Sequence, residues 1–185
     1  MRIIAGTAGR LAIKVPKAVT RPTTDFVRQA LFSILGGRVE GARVLDLFAG
    51  SGAIGLEALS RGAASCVFVD NHRAAEAVLR DNLGRSRLEG GRIVRADVHR
   101  WLGGEPGRFD LIFADPPYAK TPFDRDHLGE LFAKGLLQGR LADAGWLVVE
   151  QSEGESTREA PGLRLEDRRV YGGSAILLYA REGDS

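Results

Sequence analysis

The stretch Val44-Leu45-Asp46-Leu47-Phe48-Ala49-Gly50-Ser51-Gly52-Ala53-Ile54-Gly55 constrains this chain more than any other. An apolar run of strand length meets a glycine turn, and apolar residues then recur at helical spacing. That is the opening of a βα unit. The same alternation continues to residue 151. Strands are predicted at Arg43–Phe48, Ser65–Asp70, Arg92–Ala96, Phe109–Ala114 and Trp146–Gln151, and helices at Gly52–Arg61, Arg73–Arg85, Val98–Leu102 and Asp124–Leu137. Strands alternating with helices give a parallel sheet with right-handed crossovers. The end of the chain breaks the pattern. Leu163–Tyr171 and Ser174–Ala180 read as strands joined by Gly172-Gly173, a two-residue hairpin signal. The expected fold is therefore α/β and Rossmann-like, closed by an antiparallel pair.

Before the first βα unit, Arg2–Ala5 and Arg10–Val15 read as a short hairpin around Gly6-Thr7-Ala8-Gly9. A helix then follows through Phe26, Ala30, Leu31, Ile34 and Leu35, capped by Thr24 or Thr23 and ended by Gly36-Gly37. Charge sets this segment apart. Residues 1–38 carry Arg2, Arg10, Lys14, Lys17, Arg21, Arg28 and Arg38 against one acid, Asp25, hence +6; the chain as a whole carries +2, so the remainder carries −4. A basic arm before an acidic body fits a polyanionic partner, though a solvated basic surface reads the same way. At 185 residues one domain is expected, with 1–38 as a basic extension and 39–185 as the catalytic body.

The acids give the turn its chemistry. Gly50, Gly52 and Gly55 satisfy the G-x-G-x-x-G spacing of dinucleotide sites, but a pyrophosphate there would meet Asp46, at a cost of roughly a kcal/mol or more. S-adenosylmethionine has no phosphate, and its ammonium and sulfonium both favour a carboxylate. Asp70, 20 residues after Gly50, fits ribose hydroxyls. Asp97 fits the adenine amino group, and Val98 a ring face. Asp46, Phe48, Ala49, Gly50, Ser51, Gly52, Asp70, Asn71, Asp97 and Val98 are thus expected to bind S-adenosylmethionine in one crevice at the strand ends.

The fourth strand runs into Asp115-Pro116-Pro117-Tyr118. Two prolines bar helix and sheet and make the turn rigid. An amino group on a base is a poor nucleophile because its lone pair is delocalised into the ring. A carboxylate and a backbone carbonyl that each accept one N–H localise that lone pair. Asp115 and the Pro116 carbonyl are expected in those roles, with Asp115 also bordering the cofactor, and Tyr118 is expected to stack on the flipped-out base.

These residues resemble the class I methyltransferase fold and its base amino-methyltransferases. The chain is most similar in kind to the bacterial family that methylates guanine N2 in 16S ribosomal RNA. The resemblance rests on Arg2–Gly6, Arg21–Arg28, Leu45–Gly62 and Asp115–Tyr118. It implies a seven-stranded, mostly parallel sheet with an antiparallel last strand. It also implies that the Arg-Pro-Thr-Thr stretch closes over the cofactor's amino-acid end, making Arg21 and Thr23 candidates for its carboxylate. The implied partner is ribosomal RNA, free or within the small subunit during assembly. The Asp-Pro-Pro-Tyr turn also occurs in adenine-N6 enzymes, so a DNA methyltransferase is the nearest alternative. A dehydrogenase using NAD and a non-catalytic ribosome assembly factor stand further off.

Other residues are expected to be structural. His72, His99 and His127 lack metal spacing, and Cys66 is the one cysteine, so no metal site and no disulfide are expected. Glu57 reads as a surface or packing residue, Trp101 and Trp146 as core fillers, and Glu150 as a residue that could line the crevice. No membrane span or signal peptide is read, so a cytoplasmic monomer is expected.

Overall fold

A computed structural model describes residues 1–16, 24–104, 107–117 and 124–182. The chain divides into two compact units, Met1–Val98 and His99–Ser185.

The first unit begins with the basic arm. Its two segments do not form regular strands. They meet in an isolated antiparallel bridge, Arg2 to Ala12, supported by Ile3 N–H to Leu11 O (2.9 Å) and Arg10 N–H to Ile3 O (2.8 Å). Arg10 at φ +73° breaks the extended run, which is why the expected hairpin shrinks to a turn. Helix α1 (Asp25–Leu35) follows, and Thr24 caps it by accepting from the Val27 N–H. Val27, Leu31, Phe32 and Leu35 form its buried stripe.

Strands β1 (Arg43–Leu47), β2 (Ser65–Asp70) and β3 (Gly91–Arg95) pair in parallel in the order β3-β2-β1. Val44, Leu45 and Leu47 are fully buried, and burial of each side chain contributes about 1.5–3 kcal/mol. The crossovers are helices α2 (Ala53–Ser60) and α3 (Arg73–Ser86). Helix α3 is polar on most of its surface and buries Ala75, Leu79 and Asn82, an i, i+4, i+7 stripe.

The second unit contains helix α4 (Val98–Gly104), whose first residue belongs to the preceding unit, then β4 (Phe109–Ala114), α5 (His127–Ala133), β5 (Leu141–Ser152), β6 (Leu163–Tyr171) and β7 (Ser174–Arg181). Strand order is β4-β5-β7-β6, with β4 and β5 parallel and β7 antiparallel to both its neighbours. Gly172 and Gly173 both have positive φ, +55° and +93°, as a two-residue turn between right-twisting strands requires. Seven strands, mostly parallel with an antiparallel last strand, match the fold expected from the sequence.

Two elements depart from expectation by more than two residues. The helix predicted over Asp124–Leu137 is confined to His127–Ala133, started by the Asp126 cap and followed by turns through Gly135 at φ +63°. The fifth strand starts five residues before Trp146 because Arg181 Nη1 donates to Leu141 O and Phe109 pairs with Leu141. Trp101 and Trp146 are half-buried; Trp101 tilts against Phe109 with ring centroids 6.4 Å apart. Among the described residues no helix is long and apolar enough to cross a membrane.

Candidate active site

In the first unit the glycine turn is built from β1 outward. Phe48 sits at φ +60°, a left-handed conformation that a bulky residue adopts only where its surroundings enforce it, and such strain clusters at functional sites. Ala49 N–H donates to Val69 O on β2, and Gly52 N–H to Ala49 O. Gly52 caps α2 at φ +74°, and a Cβ there would collide with Leu79. Gly55 is needed for contact rather than conformation: a Cβ would strike the Phe68 ring and the Cys66 sulfur. This is the close helix–strand approach that the third glycine of such turns permits.

The expected acids are held by backbone donors. Asp46, 4% exposed, accepts from Gly55 N–H through Oδ2 at 3.0 Å, tying the strand end to the first turn of α2. Burial pushes its carboxyl up to about 7; the Gly55 bond opposes this and the Asp70 charge adds to it. The same burial, then the Asp46 charge, raises the Cys66 thiol. Asp70 ends β2 and accepts from Gly50 N–H through Oδ2 (2.9 Å) and from His72 N–H through Oδ1 (2.8 Å). His72 Nδ1 also lies 3.0 Å from Oδ1, on a ring that is largely exposed. Both oxygens of Asp70 are thus held by backbone donors. Asp97 is half-buried after β3, Val98 is buried, Ser51 is buried and Asn71 is exposed.

In the second unit Asp115 is half-buried at the end of β4, Pro116 is buried and Pro117 exposed. Pro116 and Pro117 line a small cleft with Asp126, His127, Glu150 and Arg158. Glu150 borders this cleft, which among the described residues contains none of those expected to hold the cofactor. Arg158 Nη1 pairs with Asp126 (2.6 Å), and His99 Nε2 meets His127 Nδ1 at 3.0 Å. Arg125 grips Glu130 with two hydrogen bonds, 3.0 and 2.8 Å, and with Lys134 holds its carboxyl down to about 2. Arg21, Thr23, Lys17 and Tyr118 lie outside the described residues. No group of three or more His, Cys, Asp or Glu side chains suited to a metal occurs among the described residues.

Sequence reasoning missed the polar clamps. Glu57, read as a surface or packing residue, is fully buried and accepts from Ile4 N–H (2.6 Å), Ala5 N–H (3.1 Å) and Arg61 Nε (2.6 Å). Arg28 is also fully buried and donates to Arg2 O and Asp25; burial lowers its pKa. The available signal was a polar residue at an apolar stripe position. Asn82, seven residues after Ala75, carries the same signal.

The sheet, the glycine turn after β1 and the carboxylates at successive strand ends define the class I methyltransferase fold. The chain belongs to the family described as "Conserved hypothetical protein 95", which matches residues 1–180. Ribosomal RNA small subunit methyltransferase D of Escherichia coli (strain K12) is 35% identical over 193 residues, 98% of this chain and 90% of that protein. A solved Escherichia coli structure described as a candidate methyltransferase, yhhF, is 35% identical, covers 100% of this chain and 99% of its own, and superposes with TM-score 0.86. A hypothetical protein of Thermus thermophilus, also solved, is 35% identical with TM-score 0.82, covering 98% of this chain and 99% of its own.

Proposed function

We propose that this chain transfers a methyl group from S-adenosylmethionine to the exocyclic N2 amino group of one guanine in 16S ribosomal RNA. Methyltransferase activity follows from the family. The observation that carries the finer reading is whole-length likeness to a small-subunit ribosomal RNA methyltransferase in a chain whose fourth strand ends in Asp115-Pro116-Pro117-Tyr118. Small-subunit RNA, free or in an assembling particle, is the proposed partner. A monomeric, cytoplasmic enzyme acting as one catalytic domain completes the reading.

The donor set suits S-adenosylmethionine. A buried carboxylate pushed up to about 7 repels a pyrophosphate and is stabilised in its charged form by a cation. Asp46 would supply that charge. Phe48, Ala49, Gly50, Ser51 and Gly52 would offer backbone to the amino-acid end, with Arg21 and Thr23 over its carboxylate. Asp70 and Asn71 would hold the ribose, and Asp97 and Val98 the adenine. The bound cofactor supplies an electrophilic methyl on a positively charged sulfur.

The protein's own part is positioning. Asp115 and the Pro116 carbonyl accept the two N–H groups of the amino substituent and concentrate its lone pair on the side of the incoming methyl. Tyr118 holds the base flat. Transfer requires nitrogen, carbon and sulfur in line, so the rate depends chiefly on orientation. The proton lost from nitrogen passes to solvent or to Asp115.

Incubation with labelled cofactor and either small ribosomal subunits, naked 16S RNA or DNA, followed by nucleoside analysis, tests the reading. N2-methylguanosine in the RNA is expected. N6-methyladenosine or label in DNA would sink it, as would a protein that binds the particle and transfers nothing.

A further inference from the structure

Asn82 is fully buried on α3 and bonds three ways. Its Oδ1 accepts from Lys14 N–H at 2.8 Å, and its Nδ2 donates to Lys14 O at 2.9 Å and to Ser51 O at 3.0 Å. One donor and two acceptors surround the amide, so its orientation is unique: rotating it by 180° would set the carbonyl oxygen against two carbonyls. One end of this bridge is the backbone of the basic arm. The other is the middle residue of Gly50-Ser51-Gly52. A side chain at this stripe position is ordinarily apolar, and a buried amide is tolerated only when its polar atoms are satisfied.

The rest of the arm is fastened elsewhere. Ser60, near the far end of α2, donates to Ala5 O at 2.6 Å and accepts from Ala8 N–H at 3.0 Å. Glu57 takes Ile4 and Ala5. These clamps hold the arm on the unit but do not touch the glycine turn. Among the described residues, only a weak 3.8 Å contact from Ser51 Oγ to the Met1 sulfur runs beside the Asn82 bridge, and a thioether is a poor acceptor.

We propose that Asn82 is a positioning residue that links the two substrates of the enzyme. A ligand that fixes the Ser51 backbone restricts the Asn82 amide, which in turn firms the Lys14 backbone. Cofactor and nucleic acid then bind with positive coupling, because the second ligand meets an arm already ordered by the first. Coupling of this kind is reciprocal, so RNA strengthens cofactor binding by the same factor. The proposal rests on the reading of the glycine turn as the S-adenosylmethionine site and of the arm as an RNA contact.

Hydrogen exchange tests the linkage without turnover. S-adenosylhomocysteine, its binding verified by calorimetry, is expected to slow exchange of the Ile13 and Lys14 amides about five- to tenfold in the parental protein. Asn82→Asp keeps the acceptor for Lys14 N–H but loses donation to Ser51 O; there the slowing should vanish although the ligand still binds. Ser60→Ala loosens the arm without touching the bridge, so the slowing should persist. If Asn82→Asp does not fold, Asn82→Leu read at Ile13, whose own partner is Met1 O, replaces it. Equal slowing in the Asn82 variant, or none in the parental protein with ligand bound, overturns the proposal. The matching equilibrium experiment is 16S RNA affinity with and without S-adenosylhomocysteine: the ratio should be several-fold in the parental protein and near one in Asn82→Asp. A parental protein that binds S-adenosylhomocysteine but no ribosomal RNA would overturn the function proposed above, and the exchange result would still decide the role of Asn82.

Discussion

The two units place their chemistry in opposite ways. In the first, the acids expected to face the cofactor are bound into the backbone: Asp46 to Gly55, Asp70 to Gly50 and His72. In the second, Asp115 is followed by a covalent device, the fixed φ of two prolines. The surroundings differ in the same sense. Asp46 and Asn82 beside the first site are buried, whereas the ion pairs around α5 are partly exposed. A site built on buried hydrogen bonds is stiff but sensitive to the loss of any partner. A proline turn is held by its own covalent geometry.

The contrast is most sharply broken at Asp115. Asp115→Ala should lower kcat by about 10²–10⁴-fold, the range for a lost orienting or acid–base group. Asp115→Asn should retain part of the rate, because an amide oxygen still accepts one N–H. Single-turnover kinetics at saturating cofactor separates these outcomes; Asp115→Ala transferring at near the parental rate would make the turn purely structural.

On the cofactor side the expected effects are smaller but spread further. Asp70→Ala releases Gly50 N–H and would remove the proposed ribose contact, so S-adenosylmethionine affinity should fall about tenfold or more, since charge-assisted bonds are worth about 1.5–3 kcal/mol. Calorimetry on the folded variant reads this, and unchanged affinity would remove Asp70 from the site. Asp46 adds a pH dependence. Its carboxyl is raised from 3.8 to about 7 in the folded protein. Its contribution to stability is therefore fully present below pH 4 and lost as pH rises through 7. A bound cation favours the ionised form, so cofactor binding should release a proton near neutrality and weaken about tenfold between about pH 8 and pH 6. Affinity that does not change across that interval, or that rises as the pH falls, would mean Asp46 does not face the cation.

The mildest effect belongs to the arm. Neutralising Arg10, Lys14 and Lys17 together should weaken RNA binding several-fold and reduce its salt slope by about 0.7–0.9 for each phosphate that the arm no longer neutralises. Cofactor affinity without RNA should barely change. A triple variant with the parental salt slope would make the arm a solvated surface.

Much of this was legible in the chain. The βα periods, the glycine turn, the Thr24 cap and the Gly172-Gly173 hairpin are written in short-range patterns with one physical reading each. So are Asp46, Asp70 and Asp115 as strand-end carboxylates. What could not be read depends on contacts distant in sequence. Glu57 meets residues 52 and 53 positions away, and Asn82 meets Lys14 68 positions away; neither has a local signature beyond a polar letter in an apolar stripe. The positive φ of Phe48 is likewise imposed by the turn around it rather than by its own preference. The arm misled because alternation predicts extended segments and cannot register that Arg10 turns left-handed.

The close approach at Gly55 gives the molecule a built-in reporter. Its backbone lies so near Cys66 that an added methyl would strike the sulfur, and Cys66 is the one thiol in the sequence. Buried and resistant to ionisation, it can react with a thiol reagent only when the strand and α2 separate. The labelling rate of the unmodified protein is thus a clock for the opening of the unit that carries the glycine turn, readable without introducing a probe.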